Sequence, residues 1–244
     1  MKQKDIVFTN VNGTSDIPKE YYPKLAKLEI PNWYKELNSY INNEKTYSVN
    51  EKNTGVDVRT TGTIKKCMPV FDAITSGYII YSITDLYIQN EDFKGKPLYI
   101  WPSVEILQFH SITQAPNYPL NTGHTLLYPK WVNPWSIQTP KGYSTLFVQP
   151  FHRESVFTIL PGIVDTDKYS PPINFPFVLN DINFTGLIPA GTPIAQVIPF
   201  KRDSWNLKFG KEKDILKITS DHTLLRSKFF DGYKTLFRQT KEYK

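Results

Sequence analysis

Between Thr63 and Phe200 the apolar residues come in runs of four to eight, broken by Pro, Gly, Asn and Asp. β-Branched and aromatic residues dominate these runs, which is the composition of strands and not of helices. The pattern predicts strands over 77–83, 86–89, 98–101, 106–110, 144–149, 157–160, 173–179 and 194–200. Turns are signalled at Pro116-Asn117, Asn121-Thr122-Gly123, Pro140-Lys141-Gly142 and Pro189-Ala190-Gly191. Many short strands with Pro and Gly turns imply a barrel, a sandwich or a related mainly β fold.

The flanks read differently. Residues 1–62 lack sustained periodicity and form an irregular N-terminal arm. Within it Pro31 or Asn32 opens a short helix, with Trp33 and Leu37 four apart on one face and Trp33 as the expected anchor. Beyond Trp205 a C-terminal helix is expected, N-capped by Thr219 or Ser220 and carrying Leu225, Phe229, Leu236 and Phe237. Gly232 weakens it by about 1 kcal/mol relative to Ala. The division expected is an arm at 1–62, a β domain at 63–205 and a basic helical tail at 206–244.

Composition supports a well-filled core. The 244 residues include 15 Tyr, 15 Phe and 5 Trp, and 19 Pro against 12 Gly suit stiff turns. With Cys67 as the single cysteine, no intramolecular disulfide forms and no multi-cysteine metal site exists, which fits a reducing compartment. The N-terminus lacks the apolar core of a signal peptide, and no run approaches the roughly 20 apolar residues of a membrane span. The expectation is a protein that is not secreted by signal peptide and has no membrane partner. The net charge of +6 resides wholly in the last stretch, where residues 201–244 hold 12 Lys and Arg against 6 Asp and Glu. Such a tail can contact nucleic acid or an acidic partner surface, or be a solvated helix face.

Three segments stand out in succession: Thr139-Pro140-Lys141-Gly142-Tyr143 leading to His152-Arg153-Glu154-Ser155, then Gly162-Ile163-Val164-Asp165-Thr166-Asp167-Lys168-Tyr169, then Ile188-Pro189-Ala190-Gly191-Thr192-Pro193-Ile194-Ala195-Gln196. In order and spacing they resemble the dUTPase and dCTP-deaminase superfamily, with Ala73-Ile74-Thr75-Ser76-Gly77-Tyr78 as a weaker early echo. A further resemblance, carried by Lys66-Cys67-Met68-Pro69-Val70-Phe71-Asp72-Ala73, Asn133-Pro134-Trp135 and His152-Arg153-Glu154-Ser155, is to a family of proteins in tailed phages of aquatic bacteria and in some bacterial genomes. These likenesses imply a β-clip (dUTPase-like) core, a viral origin, residence in the host cytoplasm or the virion, and a homo-oligomer with the superfamily's trimer as its symmetry.

Carried over residue by residue, the resemblance gives Asp165 the role of orienting the attacking water and contacting the sugar. Tyr169 stands for the tyrosine under the base, displaced by the extra Lys168, and Gln196 lies near the phosphates. Arg153 and Ser155 replace the phosphate loop, where a guanidinium supplies paired donors. Three departures weigh against turnover. Glu154 places a negative charge between Arg153 and Ser155, the glycine-rich C-terminal lid is replaced by a Lys- and Phe-rich tail, and Ile173-Asn174-Phe175-Pro176-Phe177 occupies the strand where deaminases carry their catalytic Glu.

The same residues have plainer readings. Asp165 and Asp167 near a turn satisfy backbone N–H groups as readily as they orient water. His152 is a general base by its ordinary pKa or a hydrogen-bonded structural histidine. His110, His124 and His222 have no neighbours of metal-binding type. Trp131, Trp135 and Tyr128 around Asn133-Pro134 stack a base or pack a core. The sequence therefore points to a phage-type β-clip protein with a degenerate dUTPase-like pocket for a nucleotide-like or phosphorylated ligand, and does not commit it to catalysis. A virion or capsid-accessory structural protein is the alternative, and an active nucleotide pyrophosphatase, the one case that calls for Mg2+, is the third.

Overall fold

The computed structural model describes residues 4–11, 17–44, 47–50, 57–60, 62–89, 98–101, 105–114, 127–181, 183–228 and 230–244. Pro116-Asn117, Asn121-Thr122-Gly123, His124 and Phe229 lie outside them, as does the side chain of Tyr128. In chain order the first strands are β1 (Val7–Asn10), β2 (Lys24–Leu25), β3 (Tyr47–Asn50), β4 (Asp57–Thr60), β5 (Tyr78–Tyr81), β6 (Leu86–Gln89), β7 (Leu98–Ile100) and β8 (Leu107–Ser111). They are followed by β9 (Leu127–Trp131), β10 (Trp135–Gln138), β11 (Tyr143–Val148), β12 (Phe157–Ile159), β13 (Gly162–Val164), β14 (Phe175–Leu179), β15 (Gly186–Ile188) and β16 (Pro193–Lys201). The helices are α1 (Asn32–Glu36), α2 (Met68–Thr75), α3 (Glu212–Arg226) and α4 (Gly232–Leu236). The fold is mainly β and antiparallel, with helix at the C-terminal end.

Two units are distinguished by their internal contacts: Met1–Glu29 with Gly77–Arg202, and Ile30–Ser76 with Asp203–Lys244. The first holds a five-stranded sheet in the order β13-β11-β16-β5-β2, a four-stranded sheet β12-β14-β9-β8, a three-stranded sheet β15-β6-β7 and the pair β1-β10. Strand β6 shows the alternation of a half-buried strand, Leu86 and Ile88 inside and Tyr87 and Gln89 outside. Its core is aromatic. Trp131 stacks on Phe177 at 5.2 Å with Phe157 5.3 Å from Phe177, and Phe147 of β11 meets Phe175 of β14 at 5.5 Å. Trp131 and Trp135 are both buried, so the aromatic patch around Asn133-Pro134 is core. Buried Asn133 closes its own turn, accepting from the Trp135 N–H at 3.1 Å and donating to the Trp135 carbonyl at 2.8 Å.

Gly77 shows why one turn needs its residue. It has φ +70°, and a Cβ there would lie 2.0 Å from the Val197 carbonyl oxygen, so only glycine permits the close approach of β5 to β16.

In the second unit α1 forms at the expected place, but the side chain it buries is Tyr34 and not Trp33, 3% against 40% exposed. The Tyr34 hydroxyl donates to the Lys65 carbonyl at 3.1 Å and its ring lies 6.1 Å from Phe71, contacts that fix the rotation of this single turn. The C-terminal helix starts earlier than expected. Lys211 is the N-cap residue, and its N–H donates to the Asp214 carboxylate at 2.8 Å, while Thr219 and Ser220 are interior. Helix α3 ends at Arg226, Asp231 adopts φ 58°, and Leu236 falls in the separate α4. Asp72 on α2 receives Arg238 at 2.7 Å and Lys241 at 2.7 Å, which ties down the last residues of the chain.

Candidate functional site

The stretches beginning at Thr139, Gly162 and Ile188 lie side by side. Strand β11 pairs with β13 through Thr145↔Val164 and Phe147↔Gly162, and on its other edge with β16 from Tyr143↔Lys201 to Val148↔Gln196. The three segments singled out in the sequence are therefore neighbours in one sheet, and their polar residues sort onto its two ends.

At one end the turn 139–142 and the loop 165–169 interlock. Thr166, buried, shares its hydroxyl with Thr139 at 2.7 Å and Thr145 at 2.8 Å. Asp167 accepts from the Gly142 N–H at 2.8 Å, and Asp165 accepts from the Ser144 hydroxyl at 2.6 Å. Both carboxylates meet Arg202, which follows the last residue of β16: its Nη1 lies 2.8 Å from Asp167 Oδ1 and 3.1 Å from Asp165 Oδ1, and it also donates to Ser144 Oγ at 3.0 Å. Arg202, together with the Gly142 N–H, holds Asp167 far below the ordinary carboxylate range. The Ser144 hydroxyl first and Arg202 second lower Asp165 as well. Asp165 nevertheless keeps a side chain that is 57% exposed, and Tyr169, whose N–H donates to the Asp165 carbonyl at 2.9 Å, is exposed beside it in the same loop.

The other end holds the remaining candidates. Gln196 is buried and its Oε1 accepts from the Phe151 N–H at 3.0 Å, fixing the loop that carries His152, Arg153 and Ser155. His152 is exposed with φ 55°, a left-handed backbone at the tip of the loop. Arg153 turns inward and donates to the Glu29 carbonyl; burial lowers its pKa, opposed by Tyr81 and Glu29. Ser155 Oγ accepts from the Phe157 N–H at 3.2 Å. Ser144 and Val148 are four residues apart on β11, which separates the two ends by roughly 13 Å. The structure thus brings Asp165, Asp167 and Tyr169 together, and Gln196, His152, Arg153 and Ser155 together, but does not join the two groups.

Arg202 and Ser144 were not expected from the sequence. The one available signal for the arginine was two carboxylates, Asp165 and Asp167, with no structural cation assigned to them. The cluster does not fit a protein-held Mg2+, because the carboxylate that would ligate it is engaged by a guanidinium. Among the described residues no group of three His, Cys, Asp or Glu is placed to hold a metal ion. Nor is any described helix long and apolar enough to cross a membrane.

No protein-family model and no curated protein matches the chain. Among solved structures it is similar to a dUTPase from phage phi11 of S. aureus, with a TM-score of 0.31 and 13% identity over 56% of this chain and 84% of that one. It is likewise similar to the dUTPase of Staphylococcus bacteriophage 80alpha, in a structure with dUpNHpp, at a TM-score of 0.30 and 14% identity over 71% of this chain and 86% of that one.

Proposed function

We propose that the chain is a phage-type β-clip protein that binds a hydroxylated, nucleotide-like ligand at the Asp165–Tyr169 end of β13 and does not hydrolyse it. The observation that carries this reading is the Ser144–Arg202 clamp on a carboxylate that still faces solvent. A carboxylate held rigid and ionised accepts hydrogen bonds from sugar hydroxyls well, and the exposed Tyr169 ring supplies an apolar face for a base. The same clamp keeps the Asp165 carboxylate ionised and in place to accept hydrogen bonds. Arg153, Ser155 and Gln196 remain proposed contacts for a phosphorylated end, with His152 beside them. Their distance from Asp165 within one chain suits sites completed across subunits, as in the trimeric superfamily that the sequence resembles.

Titration calorimetry with dUTP, dUMP and uridine tests the proposal, with phosphate and pyrophosphate release followed in parallel. Expected are binding without turnover and a loss of at least about tenfold in affinity for Asp165→Asn. Absence of binding at millimolar ligand refutes the reading. Turnover that disappears in Asp165→Asn would establish the nucleotide pyrophosphatase instead. A structural role in an assembly is favoured by a separate observation, the exposed apolar residues that follow β16.

A further inference from the structure

After Arg202 the chain runs without helix or strand as far as Lys211 and presents Trp205, Leu207 and Phe209 at 89%, 86% and 89% exposure. Next comes α3, which has no buried residue along its 15 positions, although it carries Ile215, Leu216, Ile218, Leu224 and Leu225. Ile215, Ile218 and Leu225, three and seven residues apart, share one side of that helix. An isolated helix of this length with β-branched Ile215, Ile218, Thr219 and Thr223 is marginal in water and is ordinarily held by packing of its apolar face.

The extent of this surface identifies what covers it. Trp205 and Phe209 bury about 150–250 Å² each when enclosed. With Leu207 and the aliphatics of α3, residues 205–225 together offer apolar area that approaches the roughly 800 Å² per partner of a stable protein interface. Its charge does not suit a polyanion. Between Asp203 and Arg226 the basic residues Lys208, Lys211, Lys213, Lys217 and Arg226 face the acidic Asp203, Glu212, Asp214 and Asp221, a balance of 5 − 4 = +1. A near-neutral strip carrying both signs is compatible with its own copy, because a twofold contact lets lysines of one chain meet acids of the other.

We propose that residues 205–225 are a self-association surface, the Trp205-Leu207-Phe209 strip and the Ile215/Ile218 side of α3 packing against the same residues of a second copy. This rests on exposure and charge and does not depend on the ligand reading above. The test is sedimentation velocity on the full chain at micromolar concentrations, in moderate and in high salt. Wild type is expected to sediment at both salts as a twofold assembly, a dimer or a pair of the trimers that the ligand reading invokes, since apolar contacts are not screened. Two variants are compared with it: Trp205→Ser with Leu207→Ser and Phe209→Ser, and separately Ile215→Lys with Ile218→Lys. Each is expected to weaken association by at least about tenfold while hydrogen-exchange protection in strands β5, β11 and β16 stays at wild-type values. A monomeric wild type, or an oligomer whose size neither set of substitutions reduces, overturns the proposal. So does a monomer whose Trp205 and Phe209 instead bind oligothymidylate.

Discussion

Arg202 grips Asp167 with Nη1 and Nη2 of its guanidinium, an ion pair that joins the end of β16 to the loop after β13 and, through the Gly142 N–H, to the turn before β11. Arg202→Ala should therefore loosen three segments together. Asp167 has a folded-state pKa depressed below its unfolded value, so its contribution to stability is complete above the ordinary carboxylate value of about 3.9 and fades as pH falls below it. Thermal melts of wild type and Arg202→Ala should differ most near neutrality and converge in acid. A gap that stays constant down to strongly acidic pH would contradict this account.

Gly77→Ala should be strongly destabilising. A side chain at φ +70° meets backbone and not a flexible neighbour, because Val197 O lies 2.0 Å from the new Cβ. The cost is about 2 kcal/mol or more, which lowers Tm by about 4–8 °C in a chain of this size. Gly162→Ala is the control: nothing lies within 4 Å of its Cβ position, and its Tm should hardly move.

Gln196→Leu keeps the volume but removes the acceptor of the Phe151 N–H. The cost of an unpaired buried amide is about 1–3 kcal/mol. The loop should also show it directly, as faster hydrogen exchange at Phe151 than in wild type. Unchanged protection there would mean that the loop is held by other contacts.

Asp72→Asn should release the end of the chain. Burial raises the Asp72 pKa, but Arg238 and then Lys241 outweigh it and hold the carboxylate ionised below its ordinary value. With the charge gone, trypsin should cut after Arg238 and Lys241 faster than in wild type. Equal cleavage rates would show that the tail is held without this pair.

The strands of the middle third were legible because each is a run of β-branched and aromatic residues bounded by a turn former, as at Tyr78–Tyr81 and Leu86–Gln89. Strands β9 and β10 were not, since Pro129 and Pro134 break the run, and Pro129 sits within β9 opposite Phe109; nor were β13 and β15, whose three residues are too few to show a pattern. Four-residue β1 carries no signal of its own, because what stabilises it is β10. Of the candidate site, Asp165 and Asp167 were visible as a spaced pair of acids, but their cation comes from beyond three further strands, β14, β15 and β16, a contact that no local pattern encodes. The start of α3 was hidden for a related reason: the capping carboxylate is Asp214, inside the helix.

The pairing of β1 with β10 sets an order of events during synthesis. Phe8 cannot meet Ile137 until the ribosome has delivered it, which at about 5–20 residues per second takes on the order of ten seconds. Throughout that interval the nascent N-terminus has no strand to join, and Asp72 waits longer still for Arg238. Strand β1 can thus join β10 only once residue 138 has been made, and a chaperone that shields Val7–Asn10 during synthesis should raise the yield more than one that acts on the released product.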